Sequence, residues 1–310
     1  MRSRLALLCP GQGAQGTAMF DMARSDAASA ALLDSWLAGA GLEQPLESIL
    51  ADSALLFANR MAQPLIVAAS LASWTALGSV VAQPAIVAGY SIGELTGYAV
   101  AGALAPGHAV RLARQRAELM DGCLQASPRQ ALVAISGIAT GAAAAIAGAH
   151  GFHPAIETAE DSLVVGGPLD AREALLQAVA AAGGRATALP VEVASHTPFM
   201  ADAVAPFARL LREQGWRAPQ APVISGIAAE PIHAADKAIE HLSRQLAEPI
   251  RWREGMDALA EAGVTVALEL GPDAALARML GARHPDIACR SVADFRSLDG
   301  VRTWLEKHSE

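Results

Sequence analysis

The run Val87-Ala88-Gly89-Tyr90-Ser91-Ile92-Gly93-Glu94-Leu95 constrains the fold more than any other segment, because its Gly-x-Ser-x-Gly stands between an apolar strand-like stretch, Ala85 to Ala88, and a helix-like one. A strand that passes straight into a helix must turn sharply, and glycines at 89 and 93 remove side chains where the two elements crowd. The turn leaves Ser91 at the helix start, where backbone N–H groups can face a developing negative charge. The plain alternative is a Gly/Ser turn of no consequence, since short matches of this kind arise by chance. The strand-turn-helix context favours a nucleophile.

The rest of the chain alternates in the same way. Leu5 to Cys9 reads as a first buried strand that Pro10-Gly11 ends with a turn. An order of strand, long helical stretch and strand predicts an α/β core with a parallel sheet. Met61 to Gly93 carries no charge, yet Gln63, Pro64, Gly78, Gln83 and Pro84 interrupt it, so it holds no continuous apolar 20-mer. It reads instead as a buried helix over Pro64 to Leu77, a turn and a buried strand. The apolar run after the first two arginines is too short for a secretion signal.

From about Gln130 the pattern changes. Ala131 to Ile138 is strand-like, Gly141 to Ala149 helical, Ala155 to Thr158 and Leu163 to Val165 strands, Leu169 to Ala182 helical and Ala186 to Val193 strand-like. This β-α-β-β-α-β order is the split βαβ unit of ferredoxin-like domains. The expected organisation is a core of residues 1–126 and 195–310 with an inserted domain at 127–194. In the second part of the core, a helix near Arg253 to Ala262 precedes a strand at Val264 to Leu270, which Gly271-Pro272 closes.

With 310 residues, 53% apolar and 17% charged, the chain can bury a large core and is far from a disordered composition. A net charge of -8 argues against nucleic acid as the main partner. Cys9, Cys123 and Cys289 show no metal-type spacing, and reduced thiols in the cytoplasm are expected.

A serine hydroxyl needs a base. Of eight histidines, His196 in Val193-Ala194-Ser195-His196-Thr197-Pro198 stands apart, because it follows the insertion directly and so occupies a loop at a domain junction. A structural loop histidine is the alternative. His150 and His153 could mimic a metal pair, but no third ligand recommends itself.

Pro10-Gly11-Gln12-Gly13-Ala14-Gln15, Gly89-Tyr90-Ser91-Ile92-Gly93-Glu94, Arg116 in RQRAELM, Ser195-His196 and Gln245 in RQLAEPIRW occur in an order that resembles the malonyl-CoA:acyl carrier protein transacylases over nearly the whole chain. The resemblance implies an α/β fold, an α/β-hydrolase-like core with a parallel sheet plus a small inserted ferredoxin-like domain. It implies Ser91 as acylated nucleophile, His196 as general base, the N–H groups of Gln12 and Ile92 as oxyanion hole, and Gln245 as the residue that orients the pair. Arg116 would hold the free carboxylate of malonyl in its planar fork of donors, and Met120 would be pocket wall or plain core. The expected partners are malonyl-CoA and a carrier protein, with no bound cofactor, no metal, no nucleic acid and no membrane. Arg251, Arg253, Arg278, Arg283 and Arg290 read as solvated surface that an acidic carrier or the phosphates of coenzyme A could also use.

Tyr90 stands where members from fatty acid synthesis usually carry His. With the Val-Ala-Ser-His-Thr run and Ser225-Gly226-Ile227, it resembles the malonyltransferase (epsilon) subunit of bacterial malonate decarboxylase, whose carrier subunit bears a phosphoribosyl-dephospho-coenzyme A arm. That branch is the preferred expectation, and a fatty-acid or polyketide transacylase is the alternative. A serine hydrolase acting on acyl thioesters would share the elbow and base, but Arg116 and a Gln at 245 in place of an acid argue against it. A non-catalytic carrier-binding subunit would have no need of these residues.

Overall fold

Ten strands form two separate sheets in the computed structural model, which describes residues 4–13, 15–42, 44–78, 83–125 and 129–308. Ala14 and the expected boundary at 126–127 lie outside the described residues. In chain order the strands are β1 (Leu5–Cys9), β2 (Ile86–Gly89), β3 (Gln130–Ser136), β4 (His153–Ala159), β5 (Ser162–Pro168), β6 (Arg185–Ala188), β7 (Val223–Ile224), β8 (Pro231–Ile232), β9 (Val266–Glu269) and β10 (Ala288–Ser291).

The larger sheet has the order β10-β9-β1-β2-β7-β8. Every pairing in it is parallel except the edge hairpin of β7 and β8. The apolar runs of β1 and β2 follow from this position, because a central parallel strand is covered on both faces. Successive residues alternate between two cores: Leu7, Val87 and Leu268 pack with the helices Asn59–Leu77 and Pro106–Cys123, while Ala6, Leu8, Ile86 and Ala267 pack with Trp252–Glu261 and Ala275–Arg283.

The smaller sheet, β4-β5-β3-β6, is antiparallel throughout. Its strand order is the one a split βαβ unit requires, and Val133, Ile135, Phe152, Val165, Leu175 and Val179 give it a core of its own. These features support the proposed inserted unit. It is tied to the larger body by a bridge in which Ile250 N–H donates to Ala155 O and Glu157 N–H to Ile250 O, both at 2.9 Å.

Three expectations shift. The helix expected from Pro64 begins at Asn59 and carries Pro64 inside it, with the Asn59 amide anchored to Ala117 O at 3.3 Å and Asp121 Oδ1 at 2.8 Å. The strand expected over Ala186 to Val193 ends at Ala188: Leu189 N–H still donates to Leu132 O, but Pro190 has no N–H to continue the ladder. The stretch Leu169 to Ala182 divides into a single 3₁₀ turn, Leu169–Ala171, and the helix Arg172–Ala181.

Candidate active site

The carboxyl ends of β9, β1, β2 and β7 lie side by side, which brings Gly271, Gln12, Ser91 and Gly226 to one edge of the sheet. In open parallel sheets this edge is where ligands bind. The turn after β2 is as tight as its sequence predicts. A Cβ on Gly89 would sit 2.2 Å from Glu94 N, and one on Gly93 would sit 2.0 Å from Cys9 O, so neither position admits a side chain. Ser91 between them takes φ 55°, a left-handed conformation that costs a non-glycine residue about 1–3 kcal/mol and aims its side chain out of the turn.

Ser91 Oγ lies 2.7 Å from His196 Nε2, and His196 Nδ1 lies 2.6 Å from the main-chain oxygen of Gln245. A carbonyl only accepts, so Nδ1 carries the proton and Nε2 is left to accept from the serine hydroxyl. His196 is fully buried. Burial, with Arg116 nearby, pushes its pKa down to about 3, so the ring is a neutral base across the ordinary pH range. Its backbone is held by a bond from His196 N–H to Leu246 O at 2.8 Å. Gln245 therefore meets His196 through its main chain, a contact that does not depend on its side chain.

Among the described residues the N–H groups of Gln12 and Ile92 have no hydrogen-bond acceptor. Ile92 opens the helix Gly93–Val100, and Gln12 follows β1 beside Gly11, where a Cβ would meet Tyr90 O at 2.8 Å. Two free donors flanking the serine suit an oxyanion.

Arg116 is not a surface residue: it is 2% exposed on the helix Pro106–Cys123. Its Nη1 donates to Gln63 Oε1 at 2.7 Å and its Nη2 to Gln245 Oε1 at 3.3 Å. Burial lowers its pKa to about 10 against the opposing effect of Glu94, so it remains a cation. Gln63 also donates to Asn59 Oδ1 at 2.8 Å and to Met120 Sδ at 3.4 Å, which places Met120 behind the arginine's partner. Tyr90 meets the Trp252 ring edge-on at 5.3 Å.

Two functional candidates escape sequence reasoning. Gln63 lies in the turn of helix that precedes the expected start at Pro64. Glu94 lies within the elbow motif, but a glutamate in a helix is ordinarily read as solvent-facing, whereas this one is 1% exposed. The five C-terminal arginines behave otherwise than an open basic patch would. Each is ion-paired: Arg251 with Glu254, Arg253 with Glu157 and Glu160, Arg278 with Asp273, Arg283 with Asp257 and Glu160, and Arg290 with Asp294.

Two cavities of about 630 and 620 Å³ are present, the first between β4–β5 and the helices that carry Asp257 and Arg283, the second lined by Gly16, Gly271 and Phe295. Neither is lined by Ser91, His196, Arg116 or Gln245. Among the described residues no group of three or more His, Cys, Asp or Glu could hold a metal ion, and no helix is long and apolar enough to cross a membrane.

Residues 6–293 match the family described as the acyl transferase domain. A malonyl CoA-acyl carrier protein transacylase of Mycobacterium tuberculosis is 30% identical over 298 residues, covering 95% of this chain and 98% of its own. The structure of the malonyl CoA-acyl carrier protein transacylase from Coxiella burnetii matches with a TM-score of 0.90 at 25% identity, over 100% of this chain and 99% of that one. A chain from the complex of a type II PKS acyl-carrier protein with its malonyl-transacylase matches with a TM-score of 0.88 at 28% identity, over 98% of this chain and 100% of that one.

Proposed function

Since the chain belongs to the acyl transferase domain family, we infer that it is a malonyl-CoA:acyl carrier protein S-malonyltransferase that works through an ester on Ser91. The observation that carries this reading is the Arg116 guanidinium, buried within reach of Gln245, the residue on which the catalytic base leans. A fixed cation in a dry pocket next to a serine–histidine pair suits an acyl group that ends in a carboxylate.

The reaction follows from the geometry. His196 Nε2 takes the Ser91 proton as Oγ attacks the thioester carbonyl, and the Gln12 and Ile92 N–H groups receive the oxyanion. The Nδ1–H bond to Gln245 O steadies the imidazolium while it exists. Collapse expels the coenzyme A thiolate, which takes the proton from Nε2. The carrier thiol then gives its proton to Nε2 and attacks the ester carbonyl, and collapse expels Ser91 Oγ, which takes that proton back from Nε2. A carbonyl behind the histidine, where hydrolytic triads place a carboxylate, supports the imidazolium less strongly.

The acceptor we favour is an acyl carrier protein of fatty acid or polyketide synthesis, in keeping with the names of the relatives. This reverses the preference drawn from sequence. The carrier subunit of malonate decarboxylase remains a second reading, supported by the resemblance that Tyr90 carries in the elbow. Activity in the cytoplasm, without cofactor, completes the proposal. Intact-mass measurement after mixing with malonyl-CoA tests the chemistry: one malonyl mass should appear, and transfer without any adduct under rapid quenching would overturn the Ser91 ester.

A further inference from the structure

The Glu94 carboxyl group, on the helix that Ser91 introduces, reaches two segments far away in the chain. Its Oε2 accepts from Gly226 N–H at 2.8 Å and from Gln245 Nε2 at 2.6 Å. The space is closed around these bonds, since a Cβ on Gly226 would lie 2.9 Å from Glu94 Oε2 and 3.3 Å from Gln245 Nε2. A carboxyl oxygen facing the amide fixes which way the amide points. The NH₂ end must face Glu94, which turns Gln245 Oε1 towards Arg116 Nη2, while the main chain of the same residue holds His196 Nδ1. Glu94 Oε1 has no hydrogen-bond partner. A buried acid with a spare acceptor is an arrangement that asks for a role.

We propose that Glu94 is a positioning residue that fixes the Gln245 side chain against the carboxylate-binding arginine, so that acyl selection depends on one buried carboxyl group. The proposal rests on the reading of Arg116 as the malonyl site. It also gives that site a charge setting. Burial pushes the Glu94 pKa up to about 7, against the lowering effects of Gly226, Gln245 and Arg116. The charged or titratable groups around it are Arg116 on the facing helix, Tyr98 on its own helix, Cys9 under the elbow, and His196 and His241 near Gln245 and Ser225. Cys9 and Tyr98 are held protonated by burial, and both histidines are shifted towards the neutral form. Glu94 is therefore the group here that changes charge near neutrality. When it ionises it offsets Arg116, and an incoming malonyl carboxylate is held less firmly.

The experiment is the ratio of kcat/KM for malonyl-CoA over acetyl-CoA between pH 6 and 8.5. The acetyl substrate carries the same coenzyme A phosphates, so their titration cancels. In the wild type the ratio should fall about three- to tenfold as the pH rises, the effect of one added unit charge at close range. Glu94→Gln keeps an acceptor oxygen with no charge, and its ratio should stay flat near the low-pH value. Glu94→Ala should also give a flat ratio, below that of Glu94→Gln, because the Gln245 amide loses the acceptor that orients it. A flat wild-type ratio, or the same slope in Glu94→Gln, overturns the proposal, as does an equal loss on both substrates in Glu94→Ala with no change of slope. Should Glu94→Ala fail to fold, the wild type and Glu94→Gln decide alone. Failure of the malonyl-transfer reading itself shows separately, as the absence of a malonyl adduct on wild-type Ser91.

Discussion

Ser91 and His196, 105 residues apart in the chain, meet at 2.7 Å with both backbones in the left-handed region, φ 55° and 63°. Each conformation is one that only glycine adopts freely, so the proposed catalytic contact stores strain on both sides. Ser91→Gly should therefore be more stable than Ser91→Ala by about 1 kcal/mol, while neither variant forms the malonyl adduct. Thermal unfolding of the two variants decides it, and equal midpoints would mean the elbow is unstrained.

The depressed pKa of His196 sets the pH profile. A base whose pKa lies about 3 stays neutral as the pH falls through 6.5, so acylation by acetyl-CoA should be level between pH 8 and 5. Acetyl-CoA is the right substrate because it makes no use of Arg116. His196→Ala should slow both half-reactions by about 10²- to 10⁴-fold. An acid limb centred near 6.5 in the wild type would show that the ring is far more solvated than its burial implies.

Arg116→Ala should reduce malonyl transfer far more than acetyl transfer. Losing a buried charged partner costs about 2 to 5 kcal/mol, so the malonyl-to-acetyl ratio of kcat/KM should fall by roughly one and a half to three and a half powers of ten. Lys at 116 should recover only part of the loss, since it cannot bond Gln63 and Gln245 and still present a planar fork. An unchanged ratio in a variant whose circular dichroism is normal would place the carboxylate elsewhere.

Carrier preference separates the two pathway readings. Comparing kcat/KM for loading an acyl carrier protein of fatty acid or polyketide synthesis with that for the carrier subunit of malonate decarboxylase should favour the former. The opposite order would restore the branch that Tyr90 suggests.

Glu269, at the carboxyl end of β9, is fully buried, and its Oε2 accepts from Ala277 N–H at 2.8 Å. Burial raises its pKa to about 8. The unfolded chain gives up this proton near pH 4.5 and the folded one only near 8, so the unfolded state binds fewer protons between those values. Stability should fall as the pH rises through that window and level off above it, by on the order of a few kcal/mol. Glu269→Gln should flatten the curve; an unchanged slope of melting temperature against pH would assign the effect to other groups. Glu94 contributes in the same direction up to about pH 7.

Much of this was legible in the sequence where the physics is local. The elbow glycines were readable because a turn between strand and helix forbids Cβ atoms, and β1 was readable because a doubly covered strand is apolar throughout. The alternation after Gln130 fixed the order of the second sheet. What stayed hidden depends on partners distant in the chain. Nothing near Glu94 announces that Gly226 and Gln245 will close over it, and nothing near Gln63 announces Arg116. Gln245 is legible only in part, since its contact with His196 Nδ1 is made by a main-chain oxygen, common to every residue type. Pro64 misled as a helix start because proline is favoured in a first turn, yet the side chains of Asn59 and Gln63 secure the turn before it.

The bridge between Ile156 and Ile250 bears on any attempt to transplant the small sheet between relatives or to excise it. Ile250 stands five residues beyond Gln245, and Arg251 N–H donates to Gly226 O at 2.7 Å, so the stretch that borders the catalytic residues borrows two backbone partners from β4. A chimera that kept Ser91, His196, Arg116 and Gln245 but joined them through a short linker would leave the N–H and C=O of Ile250 unpaired in the interior. The cut that looks clean on a diagram of modules would thus run through the backbone that borders the proposed site.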